Sequence, residues 1–158
     1  MPVNTEKMKF TPKKINAFLL FKLPSAFFTG VRVSSITDDF SEVKVTHRWV
    51  NQNPFKSMFW AVQGMASELS TGILVMKEID ASNKNISMLV TNMNGTFTKK
   101  ATGKIRFKCN DGKLIRETIQ KAIEKGEGQT VIVTSEGFNE EGVSVSKFEY
   151  EWSLKVKN

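Results

Sequence analysis

Asn53-Pro54-Phe55-Lys56-Ser57-Met58-Phe59-Trp60-Ala61 leads into the segment that decides how this chain folds. Asn53-Pro54 closes a strand-like stretch, and from about Phe59 to Ile79 the pattern is helical without interruption. At 3.6 residues per turn Ala61, Met65, Gly72, Val75, Met76 and Ile79 share one side of that helix, and Glu68 falls among them as the only charged member. The helix is apolar over most of its circumference and has to be covered on several sides. A strongly curved antiparallel sheet wrapped around it is the natural solution, giving an α+β architecture. A carboxylate in the apolar sector has to be neutralised, paired or put to use, because an unpaired buried charge is very costly.

The flanking sequence supplies the strands. Val31 and Val33 alternate with Arg32 and Ser34, and Val43, Val45, His47 and Trp49 alternate with Glu42, Lys44, Thr46 and Arg48. With Thr37-Asp38-Asp39 as the turn between them, the two make a hairpin. After the helix, Ser82-Asn83-Lys84-Asn85 is a loop. Ile86 to Lys100 is a long strand whose apolar phase shifts between Val90 and Met93, which predicts a bulge near Thr91-Asn92. Lys104 to Cys109 is expected to pair next to it, with Gly103 in the turn. A polar helix over roughly Lys113 to Lys125 is ended by Gly126 and Gly128. Thr130 to Phe138 and Val143 to Val156 form a last hairpin through Asn139-Glu140-Glu141-Gly142. At the other end, Thr11-Pro12 reads as an N-cap and first helical residue, and Pro24 disfavours helix at Leu23, so residues 12–23 form a short amphipathic helix. Packing on the body is the expectation for it, and lying on a membrane surface is the alternative. Its apolar run is too short to span a bilayer.

Composition narrows the function classes. The chain has 158 residues, which suits one domain, 1–158, with a proper core. Its formal charge of +7 suits an acidic partner or simply a solvated basic surface, but the lysines are not interleaved with stacking aromatics, so no nucleic-acid partner is expected. The single cysteine, Cys109, excludes an internal disulfide framework and reads as an inward strand residue, consistent with a reducing cytoplasm. His47 is the only histidine and reads as a packed, hydrogen-bonded core residue, which leaves no His-dependent nucleophile. No cluster has metal-ligand spacing and no glycine-rich phosphate loop is present, so neither metal nor cofactor is expected. Lys99-Lys100 ends a strand, where it is either solvated or able to meet phosphates.

The run from Asn53 to Ala61, followed by Ala66-Ser67-Glu68 and Gly72, resembles the hotdog fold, specifically the thioesterase-like branch similar to phenylacetyl-CoA-type acyl-CoA thioesterases. The resemblance extends from Leu23-Pro24 to the last strand. It implies a curved antiparallel sheet around a central helix, a homodimer that could pair into a tetramer, and an acyl-CoA or acyl-carrier thioester as substrate. Asn53 matches the family's Asn and Glu68 its catalytic acid. Phe59 stands where those enzymes carry His, and Trp60-Ala61 where they carry Gly-Gly. Glycine lets a ligand approach the backbone closely, whereas tryptophan blocks or redirects it.

On this reading, backbone N–H groups near Phe59, Trp60 and Ala61 polarise the thioester and Glu68 activates water or attacks directly. Met65 and Met88 belong to an apolar acyl pocket. Asn53 either orients the carbonyl or water, or satisfies its own Asn-Pro turn. Eight residues of helix put Glu68 about 12 Å from Trp60, so one carbonyl cannot meet both within a single chain. The alternative from the same residues is a module that binds an acyl chain or other apolar ligand without hydrolysing it. A purely structural role would need no pocket.

Overall fold

Thr11 and Pro12 start the first helix through their own chemistry: the Thr11 hydroxyl accepts from Lys14 N at 3.3 Å and proline occupies the first turn. The computed structural model describes residues 10–158. In it, α1 (Pro12–Lys22) buries Ile15 and Leu19. Asn16 on this helix bonds the backbone of Val33 in both directions, at 2.8 and 3.0 Å, and so supplies partners to the outer strand of the sheet. Pro24 begins a second short helix, α2 (Pro24–Phe28).

β1 (Arg32–Ile36) and β2 (Ser41–Thr46) form the expected hairpin, closed by Thr37 and Phe40. β2 stops at Thr46, earlier than the alternation suggests. Trp49–Asn51 is a single 3-10 turn, and Trp49 is 83 % exposed rather than inward-facing. The cause is Asn51, whose buried amide accepts from Arg48 N at 2.8 Å and donates to Thr29 O and Thr46 O at 2.9 Å each. Those bonds turn the chain away from the ladder.

The central helix, α3 (Trp60–Ser82), is followed by β3 (Ile86–Phe97), β4 (Lys104–Cys109), α4 (Gly112–Lys125), β5 (Gln129–Phe138) and β6 (Ser144–Val156). The six strands make one antiparallel sheet in the order β1-β2-β4-β5-β6-β3. This curved sheet around a long helix is the hotdog fold. The bulge lies where the apolar phase shifts: Val90 is opposite Trp152 and Asn92 opposite Glu151.

Two expectations are corrected. β4 does not pair with β3; β3 pairs with β6 alone, and β4 lies between β2 and β5. The connection leaves the sheet edge instead of turning back. Thr98 N and Lys99 N bond Val145 O, and Ala101, fully buried, accepts from Met58 N at 2.8 Å. These bonds carry the chain beneath the loop that precedes α3, and Gly103 (φ +68°) then admits it to the middle of the sheet.

The second correction concerns α3. Of the sector around Ala61, only Gly72 and Val75 are buried, while Ala61, Met65, Glu68, Met76 and Ile79 are half-buried. The covered sides are the aliphatic one with Val62, Ala66, Leu69, Ile73 and Leu74, and a polar one carrying Gln63, Ser67, Ser70 and Thr71. The sheet satisfies every member of the polar side. Ser146 donates to Gln63 Oε1 at 2.8 Å, the Tyr150 hydroxyl meets Ser67 Oγ at 2.7 Å, Ser70 donates to Ser135 Oγ at 2.7 Å, and Trp152 Nε1 donates to Thr71 Oγ1 at 3.0 Å. Paired in this way, small polar residues can be buried where aliphatic ones would otherwise be needed. Among the described residues no helix is long and apolar enough to cross a membrane.

Candidate functional site

Two of the cavities along α3 hold residues singled out in the sequence. The first, of about 690 Å³, surrounds the helix start and is lined by Asn53, Phe55, Phe59, Trp60, Gln63, Phe97 and Lys99 among others. The helix opens here without a side-chain cap. Phe59 N bonds Asn51 O, and Val62 N and Gln63 N reach back to Phe59 O, but among the described residues the N–H groups of Trp60 and Ala61 have no acceptor. Two free donors at the positive end of a helix dipole can receive a developing negative charge. The rings of Phe59 and Trp60, 43 % and 56 % exposed, meet edge to face at 5.8 Å beside them.

Asn53 lines this cavity, and its amide is occupied by its own loop. Oδ1 accepts from Phe55 N at 2.9 Å and Ser57 N at 3.3 Å, while Nδ2 donates to Ser57 Oγ at 3.0 Å and Met58 O at 3.3 Å. This Asx turn holds Lys56 at φ +59° and aims the chain into α3.

The second cavity, about 270 Å³, lies two turns further along, between α3 and the junction of α1 with α2. Lys22, Leu23, Pro24, Ser25, Ala26, Met65, Glu68 and Leu69 line it. Glu68 is half-buried here with no ion pair or side-chain hydrogen bond among the described residues, and burial raises its pKa above the ordinary 4.5. Gly72, one turn on, faces the carboxylate: a Cβ there would make ordinary contacts, 3.6 Å from Glu68 Oε1 and 3.4 Å from the Trp152 ring. The Tyr150 hydroxyl, bonded to Ser67 and Gly64 O, is pushed up to about 12 by burial above all, with the Glu68 charge adding to it.

Of the residues singled out in the sequence, Asn53, Phe59 and Trp60 therefore meet in one cavity and Glu68 and Met65 in the other. Ala61 follows Trp60 at the helix start, half-buried. Met88 lines neither cavity; it lies on β3 opposite Leu154 and packs on the rim of the core. His47 differs from its expectation. Its backbone N–H bonds Gly103 O, but its buried Nε2 has no partner among the described residues. Tyr150 and Trp152, which flank Glu68, were not singled out. Their signal was the Ser67, Ser70, Thr71 spacing, which puts three hydroxyls on one side of a helix and calls for polar partners in the sheet.

No curated protein matches the chain in sequence. Among solved structures, a Pseudomonas aeruginosa protein of unknown function, described as a probable thioesterase, superposes with a TM-score of 0.78 at 20% identity, over 93% of this chain and 97% of that one. A Chlorobaculum tepidum protein of unknown function gives 0.78 at 19% identity, with 94% and 98% covered. A Haemophilus influenzae thioesterase gives 0.70 at 14% identity, with 95% and 94% covered. At these identities the likeness is one of fold. A family model described as a domain of unknown function, DUF4442, matches residues 12–154, and the chain belongs to that family.

Proposed function

We propose that this protein is a cytoplasmic acyl-thioester hydrolase, acting on acyl-CoA or an acyl-carrier thioester as a homodimer, with Glu68 as its catalytic carboxylate. The observation that carries the reading is Glu68 itself: a half-buried carboxyl group with no ion pair among the described residues, on the wall of a mostly apolar cavity that also takes in Lys22. A structural carboxylate in such a place is normally paired. One left unpaired, with its pKa raised by burial, suits proton transfer.

The site is shared between two copies. Glu68 and the free N–H groups of Trp60 and Ala61 are about 12 Å apart along one helix, so the helix start comes from the partner. The exposed edge of β3, with Leu89, Met93 and Phe97 uncovered, supports such pairing of copies. In the reaction, Glu68 removes a proton from water as its oxygen attacks the thioester carbon. The carbonyl oxygen takes the negative charge and is held by the Trp60 and Ala61 N–H groups. When the intermediate collapses, the C–S bond breaks and the sulfur leaves as thiolate, which receives the proton from Glu68. Asn53 acts as a positioning residue, through the turn that presents the helix start. Met65 lies against the acyl chain, and Met88 supports the sheet behind it.

Thiol release from short-, medium- and long-chain acyl-CoAs tests this, with Glu68→Gln beside the wild type. Turnover is expected to fall by about two orders of magnitude or more in the variant, the usual contribution of a positioned base. Full turnover in Glu68→Gln would remove Glu68 from the mechanism. Phe59 and Trp60, where related enzymes carry smaller or titratable residues, favour a second reading, an acyl-binding module. A folded dimer that hydrolyses no chain length, yet retains an intact acyl ligand through purification, would establish it.

A further inference from the structure

The outer face of the sheet carries a charged depression that thioester chemistry at Glu68 does not involve. It measures about 320 Å³, and Arg32, Lys44, Arg48 and Lys104 surround it around Gly30. The strand register brings them together, with Arg32 opposite Lys44 and Thr46 opposite Lys104. Their neighbours Val33, Val43, Val45 and Ile105 are the buried ones, so Arg32, Lys44 and Lys104 share the outward side, and Arg48, beyond the end of β2, joins them beside Gly30. No acidic residue lines the depression, and among the described residues none of the four has a carboxylate within ion-pair distance. Glu42, the nearby carboxylate on β2, is taken by Arg106 at 2.9 Å.

One of the cations, Arg32, is held in place by the backbone. Arg32 Nη1 donates to Phe27 O at 2.7 Å and Val31 O at 2.8 Å, and its guanidinium lies 3.7 Å from the centre of the Phe27 ring. Arg48 lies against the backbone of Gly30, where φ is +93° and any Cβ would overlap Arg48 Nη2. Glycine at this position thus lets a second guanidinium settle beside the first. Burial first, and then the neighbouring Arg48, lower the Arg32 pKa; the second effect reflects the closeness of the two guanidinium groups.

We propose that this depression binds a phosphate-bearing anion, with the two guanidinium groups and two ammonium groups as its donors. The source of the phosphate is either a free phosphoanion or the phosphate end of coenzyme A. The second source rests on the thioesterase reading; the anion site does not. Its support is proximity along the chain: Pro24, Ser25 and Ala26 wall the Glu68 cavity, and Gly30 and Arg32, a few residues on, line the depression.

Titration calorimetry of the full chain at fixed ionic strength, with pyrophosphate, coenzyme A and dephospho-coenzyme A, tests the proposal. The variants are Arg48→Gln/Lys44→Gln and, separately, Glu68→Gln. Pyrophosphate affinity is expected to fall about tenfold or more in the double variant, since each charge-assisted bond contributes on that scale. It should be unchanged in Glu68→Gln. In the absence of anion the double variant should melt no lower than the wild type, because like charges have been removed; this separates lost binding from lost folding. Coenzyme A binding more tightly than pyrophosphate, and than its dephospho form, assigns the carrier as the source; equal affinities assign a free anion. No pyrophosphate binding by the wild type, or equal binding by the double variant, would overturn the site.

Discussion

Replacing Asn51 by Ala tests how the loop before the central helix is held. The side chain is 2 % exposed and makes three hydrogen bonds of 2.8–2.9 Å, to Arg48 N, Thr29 O and Thr46 O. Its own carbonyl accepts from Phe59 N at 2.9 Å, one residue before α3. Three bonds at about 1 kcal/mol each give a loss of about 3 kcal/mol, since alanine satisfies none of the groups it leaves behind. For a chain of this size that lowers the melting temperature by roughly 6–12 °C. Asn51→Asp sharpens the test. Its carboxylate can still accept from Arg48 N, but it faces two carbonyl oxygens where the amide donated. Near neutral pH it should be less stable than Asn51→Ala. Below about pH 4, near the ordinary aspartate value, the protonated acid can donate to one carbonyl and the order should reverse. Urea unfolding followed by tryptophan fluorescence across this range measures both effects. The reasoning fails if Asn51→Ala lies within about 0.5 kcal/mol of the wild type, the range of an ordinary surface change.

Other outcomes follow from the same geometry. Burial raises the folded-state pKa of Glu68, so its protonated form is the one the fold favours; that stability is complete below the unfolded value and is lost as pH rises through the folded one. Glu68→Gln should therefore unfold at higher urea than the wild type at pH 8, with the difference vanishing toward pH 4, and a Gln variant less stable at pH 8 would contradict the uncompensated carboxylate. The Cys109 thiol, buried and pushed up to about 12, should resist iodoacetamide at pH 8 in the folded chain and react on unfolding, as read by mass spectrometry. Gly137→Ala on β5 would place a Cβ 2.6 Å from Phe107 Cε1, within the core, and should cost about 1–3 kcal/mol in the same urea assay.

How far the sequence carries depends on the range of the interaction. The bulge at Val90–Asn92 was legible because an extra residue in a strand shifts the apolar phase, a purely local signature. The helix beginning at Trp60 was legible from its period, and Glu68 from its place in that period. The partner of β4 was not, because it depends on Ala101 meeting Met58 N beneath a loop more than 40 residues earlier in the chain. The polar side of α3 was hidden for the same reason: Ser67 and Thr71 read as weak helix formers until Tyr150 and Trp152 are set opposite them. Asn53 and Asn51 look alike in sequence, two asparagines flanking one glutamine. Only the structure separates the one that shapes its own turn from the one that ties three segments together.

The central claim, that one copy supplies Glu68 and another the helix start, is tested most directly by mixing two inactive chains. Glu68→Ala removes the carboxylate. Trp60→Pro removes one N–H and is compatible with the backbone, since Phe59 at φ −62° and ψ 135° has a conformation that accepts a following proline. Trp60→Ala, which keeps the N–H, controls for the lost ring. After subunit exchange, half of the dimers are hybrids, each with one intact site of two, so thiol release from acyl-CoA should recover to about a quarter of the wild-type rate. Hybrid dimers confirmed by native mass spectrometry that release no thiol, beside an active wild type, would contradict the shared site.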